Sequence, residues 1–143
     1  CELAVQHAVR DLIRSGLVRS AHDCSEGGLA VALAESCFNP DGLLGAKVNL
    51  SGNGWRSDVL LFNELQSRIV ISVAKENAKG VCERLEASGV PYSVLGSVGG
   101  DELRISAQDQ TFHWPIAELY DSWFNFIARA VESDSLAEGI PCL

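Results

Sequence analysis

Apolar residues open the chain at three- and four-residue intervals: Leu3, Val5, Ala8, Val9, Leu12 and Ile13. That spacing predicts a helix over residues 2 to 15, because 3.6 residues per turn bring these positions onto one face, and Gly16 supplies the stop. Val18 to His22 reads as a short strand running into the loop Asp23-Cys24-Ser25-Glu26-Gly27-Gly28. Leu29 to Phe38 is Ala-rich and apolar nearly all round, which predicts a buried helix. Asn39-Pro40-Asp41-Gly42 is a turn signal. Ala46 to Leu50 alternates like a strand, Ser51-Gly52-Asn53-Gly54 breaks the chain, and Arg56 to Phe62 predicts a short helix. Ile69 to Val73 is rich in β-branched residues without alternation, the pattern of a central strand covered on both faces. Glu76 to Ser88 predicts an amphipathic helix with Ala78, Val81, Cys82 and Leu85 on one side and Gly89 at its end. Tyr92 to Val98 and Leu103 to Ser106 read as strands joined at Gly99-Gly100-Asp101, with Gln110 to Trp114 as a third. Pro115 opens a final helix, where its missing N–H costs nothing. That helix carries Ile116, Leu119, Trp123, Ile127 and Val131, and the residues from Ser133 onward read as a frayed tail.

Helices and strands interleave, yet hairpin-like neighbours gather near residues 92 to 114. The expected fold class is therefore α+β, a mixed β-sheet with packed helices, rather than a doubly wound parallel sheet. Neither a repeat nor a low-complexity linker divides the 143 residues, so residues 1–143 read as a single domain. With 47% hydrophobic and 21% charged residues, the chain can bury a core without staples. Its apolar runs are far too short to span a bilayer, and Cys1 to Gln6 lack the basic start of a secretion signal. The chain begins without Met, which points to a fragment of something longer.

Charge narrows the partners. Eleven basic against 19 acidic residues leave a net charge of −8, which argues against nucleic acid, since phosphate backbones call for clustered Lys and Arg. A small phosphorylated ligand stays open, because backbone N–H groups and a bound metal hold phosphate without a basic surface. Five scattered cysteines, odd in number and never in a C-x-x-C pair, fit free cytosolic thiols better than zinc or a disulfide framework. Cys37 and Cys82 fall at apolar helical positions, as small packed hydrophobes would.

Two segments offer chemistry. In Asp23 to Gly28, paired glycines let the backbone approach a ligand closely, and the following helix presents N–H groups to an anion. Asp23, Ser25 and Glu26 add oxygens suited to a hydroxyl, an amine or a metal. The plain alternative is a turn in which Ser25 or Glu26 caps the helix. In Asn63-Glu64-Leu65-Gln66-Ser67-Arg68, Glu64 has the chemistry to bind Mg²⁺, Asn63 and Gln66 offer amides, and Arg68 suits phosphate or carboxylate. Here the alternative is a Glu64–Arg68 ion pair closing an exposed loop. His22 either orients Asp23 or is simply packed or solvated. His7 and His113 have no nucleophile or metal partner in the sequence. Trp55, Trp114 and Trp123 read as core or interface anchors. No Ser/His/Asp or Cys/His set is visible.

Taken together, residues 21–35 (Ala-His-Asp-Cys-Ser-Glu-Gly-Gly-Leu-Ala-Val-Ala-Leu-Ala-Glu) and 61–70 (Leu-Phe-Asn-Glu-Leu-Gln-Ser-Arg-Ile-Val) closely resemble the last domain of formylglycinamidine ribonucleotide synthetase. The stretch Val94 to Gly100 is similar to the segment that follows in that family, so the resemblance covers nearly the whole chain. It implies a domain shared with aminoimidazole ribonucleotide synthetase, selenophosphate synthetase and thiamin phosphate kinase, enzymes that activate an acceptor with ATP. In the formylglycinamidine enzyme the amide oxygen of formylglycinamide ribonucleotide takes the phosphoryl group, and ammonia from a glutaminase unit then displaces phosphate. The implied cofactors are ATP and Mg²⁺, and the implied setting is the cytoplasm.

Position by position, the resemblance makes Asp23 an aspartate at the Mg·ATP site and Ser25 an ATP contact. Through a similar stretch in an earlier, related domain of the family it makes Glu64 and Gln66 substrate contacts. The chain departs from the commonest pattern at Asn63, where glycine is frequent, and at Leu65, where serine is frequent. Asn tolerates a left-handed backbone, which would keep the loop shape; Leu65 removes a hydroxyl. The expected catalytic base and most of the ATP surface lie in preceding domains of the family, so no catalytic residue is expected here and the fragment alone should be inactive. The implied partners are those preceding domains, the glutaminase unit and the ribonucleotide substrate, with a homodimer open to it. The alternatives are another member of the superfamily, and a non-catalytic ligand-sensing or assembly module.

Overall fold

The computed structural model of the chain describes residues 2–39, 41–50 and 54–137, with side chains as far as residue 132. Helix α1 (Glu2–Arg14) turns Val5 and Leu12 inward, as its apolar spacing predicts. Gly16, at φ 68°, ends it and leads into β1 (Val18–Asp23). β1 pairs antiparallel with β3 (Ile69–Val73), from Val18 opposite Val73 to Asp23 opposite Ile69, with a register shift between Val18 and Ser20. A 3₁₀ turn (Lys75–Asn77) then opens α4 (Ala78–Ala87). Helices α1 and α4 bury Val5, Leu12, Val81 and Leu85 with Val90, against half-buried residues that include Ile69, Ile71 and Val73.

The larger core lies elsewhere. Strands β2 (Ala46–Leu50), β4 (Gly96–Val98), β5 (Glu102–Ala107) and β6 (Gln110–Pro115) form a mixed sheet in the order β4-β2-β5-β6. β2 and β5 run parallel, and the outer pairings are antiparallel. Alternation on β2 and β5 sends Ala46, Val48, Leu50, Leu103, Ile105 and Ala107 to one face. That face is covered by Leu29, Ala32, Leu33 and Cys37 of α2 (Gly28–Ser36) and its C-cap, by Leu61 of α3 (Ser57–Phe62) and by Ile116 of α5 (Ile116–Phe124). The fold is thus α+β, a mixed sheet with packed helices.

Several expectations change in the folded chain. β3 is not a central strand covered on both faces: it has one neighbour, β1, and each of its residues is only half-buried. Its apolar run fits contact with α1 and α4 on one side and the margin of the larger core on the other. Only the last three residues of Tyr92 to Val98 form a strand, because this edge strand is held to β2 just from Val98 opposite Ala46 to Gly96 opposite Val48. The final helix is two: α5 stops at Phe124, and α6 (Phe126–Ala137) begins beyond Asn125. At that joint Asp121 accepts hydrogen bonds from the Asn125 side-chain amide at 2.7 Å and from the Arg129 guanidinium. α6 also runs past Ser133, where a tail is expected, and residues 138–143 lie outside the described residues. Trp55 and Trp123 are more than half exposed rather than core anchors, while Trp114 is half-buried and stacks on Phe112. Positions 40 and 51–53 of the two turn signals, and Cys1 and Cys142, also fall outside the described residues. Cys24, Cys37 and Cys82 are free thiols.

Candidate functional site

Loop 24–27, between β1 and α2, and loop 63–68, between α3 and β3, are 36 residues or more apart in sequence but meet at the open end of the two-stranded sheet. Sheet pairing begins the convergence, since Asp23 lies opposite Ile69. One residue further on, the Cys24 N–H donates to the Arg68 carbonyl at 2.8 Å. The Arg68 guanidinium in turn donates to the Asn63 carbonyl at 3.2 Å, tying the loop to itself. Gly27, the N-cap of α2, then donates its backbone N–H to Glu64 Oε1 at 2.9 Å. Glu64 therefore does from across the site what the glutamate at the third helical residue does in a capping box.

The paired glycines are required by this approach. Gly27 and Gly28 stand at φ 80° and 65°, a region costly for residues with a Cβ. A Cβ on Gly28 would lie 2.7 Å from the Phe62 carbonyl carbon and 3.0 Å from the Asn63 oxygen. Only a bare α-carbon lets α2 start this close to the end of α3.

Asp23, Ser25, Glu64 and Gln66 are all exposed on this surface. The expected cap by Ser25 or Glu26 is not formed; Gly27 is the N-cap and has no side-chain cap of its own, while the Ser25 carbonyl accepts the Gly28 N–H at 3.2 Å. The expected Glu64–Arg68 ion pair is likewise not formed, because Glu64 turns to Gly27 and Arg68 to Asn63. Asn63 does not adopt the left-handed backbone allowed for it; it is extended at φ −71°, ψ 124°. Its Oδ1 instead accepts the Leu65 N–H at 2.8 Å, an Asx turn, and the left-handed residue is Ser67 at φ 65°. Leu65 is exposed.

Behind the surface, burial pushes the Cys24 thiol up, an effect that the nearby Arg68 opposes and Asp23 reinforces. A thiol held protonated is a packing group and not a nucleophile. His22 bridges two elements: Nδ1 lies 2.8 Å from the Asp23 carbonyl oxygen, and Nε2 lies 3.0 Å from Glu35 Oε2 on α2. Glu35 closes the motif stretch 21–35, but the sequence alone assigns it no role. The available signal is that it is the one charged residue of α2. A shallow, open depression of about 580 Å³, lined by Asp58, Val59, Phe62, Asn63, Glu64 and Leu65, adjoins the second loop. Asp23 and Ser25 do not line it. Among the described residues no group of three or more His, Cys, Asp or Glu is placed to hold a metal ion, and no helix is long and apolar enough to cross a membrane.

The chain has close relatives. It is 42% identical to phosphoribosylformylglycinamidine synthase subunit PurL of Anaeromyxobacter dehalogenans over 96% of this chain and 19% of that protein. Against the same subunit of Moorella thermoacetica it is 46% identical over 85% of this chain and 16% of the relative. The chain thus spans about a fifth of the length of the curated relatives it matches. Solved structures of Thermotoga maritima PurL share the fold: the complex with FGAR superposes with a TM-score of 0.71 at 22% identity, covering 82% of this chain and 20% of that one. The complex with ATP gives 0.69 at 21% identity, covering 81% and 21%. The profile of the AIR synthase related protein, C-terminal domain, matches residues 2–107, from α1 to the end of β5 and across both loops. By that match the chain belongs to the family of AIR synthase related protein C-terminal domains.

Proposed function

We propose that residues 1–143 are a single domain, the carboxy-terminal nucleotide- and substrate-contacting part of a phosphoribosylformylglycinamidine synthase. That enzyme uses ATP to convert formylglycinamide ribonucleotide into the amidine, with ammonia supplied by a glutaminase unit. The observation that carries the proposal is the clasp between the two loops, where Gly27 meets Glu64 and Gly28 packs on Phe62 and Asn63. It makes one surface of two motifs that the sequence keeps apart. Similarity to PurL proteins, including that of Thermotoga maritima, solved both with ATP and with FGAR, supports assigning that surface to the same ligands.

In this reading Asp23 and Ser25 face Mg·ATP, and Glu64 and Gln66 face the ribonucleotide. A single exposed carboxylate fits Mg²⁺, which keeps several waters and takes most of its remaining oxygens from phosphates rather than from a protein cage. When bound, the ion neutralises phosphate charge during transfer. The chain's own work is positioning. Asp23 is held at the end of a paired strand, and Glu64 carries one oxygen on Gly27. The surface is shallow and open, as suits a domain that completes a site with preceding parts of a longer polypeptide. In this reading the setting is the cytoplasm.

The test uses the longer enzyme that carries this domain. Asp23→Ala is expected to lower Mg·ATP-dependent amidation, with ammonium supplied, by at least about 10- to 100-fold, the range seen when only the groups that orient a metal's ligands are removed. An unchanged rate in the folded variant would refute the nucleotide-site assignment.

A further inference from the structure

The peptide unit between Asp23 and Cys24 is held from both sides. Its carbonyl oxygen faces His22 Nδ1 at 2.8 Å, and its N–H donates to the Arg68 carbonyl at 2.8 Å. The plane of this peptide sets the direction in which the chain leaves β1, and so where the Asp23 side chain and the loop to Gly27 are aimed. The second grip continues the line of the β1–β3 pairing by one residue beyond both strands. The first is of another kind, since it needs an imidazole turned back on the following residue.

Something must fix that ring, and Glu35 is placed to do so at 3.0 Å from Nε2, both side chains being about 31% exposed. Glu35 stands in the last turn of α2, where the helix dipole disfavours a carboxylate. Its side chain is also largely withdrawn from water, which costs stability unless a partner offsets it. An acid in such a place, paired with the ring that grips the site's first peptide, serves the site more readily than the helix.

We infer that Glu35 and His22 form a positioning pair that sets the Asp23–Cys24 peptide, and through it the aim of Asp23 at Mg·nucleotide. This rests on the nucleotide-site reading proposed above. Glu35 orients the ring, and since the Asp23 carbonyl and the Glu35 carboxylate both accept, the bridge takes a proton on each ring nitrogen, with neither residue touching the reacting atoms.

The ring's two nitrogens can be tested separately in the longer enzyme, because an Asn amide nitrogen falls near Nδ1 and a Gln amide nitrogen near Nε2. His22→Asn keeps the grip on the Asp23 carbonyl and is expected to bind Mg·ADP within about threefold of the parent by titration calorimetry. His22→Gln keeps the reach to Glu35 but not that grip, and is expected to bind about tenfold more weakly, with faster amide hydrogen exchange at Cys24. Glu35→Gln, whose amide can donate to a bare Nε2 or accept from Nε2–H, should follow the parent, whereas Glu35→Leu should follow His22→Gln. If His22→Gln fails to fold, Glu35→Leu gives the same reading. Gln equal to or better than Asn, or Cys24 exchange unchanged in both, would overturn the pair as a positioning device. Exchange at Cys24 needs no nucleotide. If Asp23→Asn binds Mg·ADP like the parent while Cys24 exchange responds as expected, the nucleotide-site reading fails and the peptide grip stands.

Discussion

β3 and β5 are similar in length and both carry isoleucine at their centres, yet the fold treats them oppositely. On β5, Leu103, Ile105 and Ala107 are 1%, 0% and 0% exposed. On β3, which is apolar at four of its five positions, every residue is only half-buried. The difference lies in the neighbours. β5 has a strand on each side and helices across its inner face, whereas β3 has a single strand partner. Continuous apolar sequence says that a strand can be buried, but neighbours decide whether it is. The consequence is functional: the candidate site stands at the end of the thinner sheet, where a seam of hydrogen bonds and a close glycine contact do the holding.

That contrast can be broken by measurement. Ile105→Ala should cost about 3 to 4 kcal/mol in chemical unfolding and Ile71→Ala about 1 to 2, because the cavity and transfer costs both scale with burial. Equal losses would show that the two sheets are held alike. Gly28→Ala tests the seam. A Cβ at positive φ against the Phe62 backbone should cost about 2 to 3 kcal/mol and loosen both loops, seen as faster amide exchange at Gly27 and Leu65. Glu64→Gln removes charge from the bond to Gly27 and should cost no more than about 1 kcal/mol, since the bond is exposed and the amide still accepts. A larger loss would mean that the clasp carries stability as well as shape.

The smallest effect is expected at the α5–α6 joint, away from both sheets. Hydrogen bonds from Arg129 and Asn125 hold the Asp121 carboxyl below its ordinary value of 3.8. A carboxyl depressed on folding adds stability above its unfolded value and loses it as pH falls through the folded value. Helicity near residues 121–129 should therefore drop slightly on acidification below about pH 4, and Asp121→Asn should flatten that response. A steep acid transition retained in the variant would place its origin elsewhere.

Local pattern and tertiary placement can be separated by residue. α1, α2, β2, α4, β5 and the Pro115 start of α5 are legible because each carries a period or a stop signal that acts within a few residues. The resemblance of residues 21–35 and 61–70 to one family is equally open to reading; that Asp23, Ser25, Glu64 and Gln66 are exposed on one surface comes from the fold. The break at Asn125 is not legible from spacing, because the apolar ladder runs on through Ile127 and Val131, both well exposed here.

What only the tertiary structure decided is which groups are spent on each other. By sequence, Glu64 faces Arg68 four residues away; in the fold it takes the N–H of Gly27, 37 residues away. Asn63 looks like a left-handed residue and is instead an Asx turn that leaves the positive φ to Ser67. Glu35 belongs to an apolar helix until β1 brings His22 beside it. Local periodicity determines elements because backbone bonding and side-chain direction repeat over one turn or one pleat. Partner choice is settled among groups distant in the chain, by which of them the closed core leaves within about 3 Å of one another.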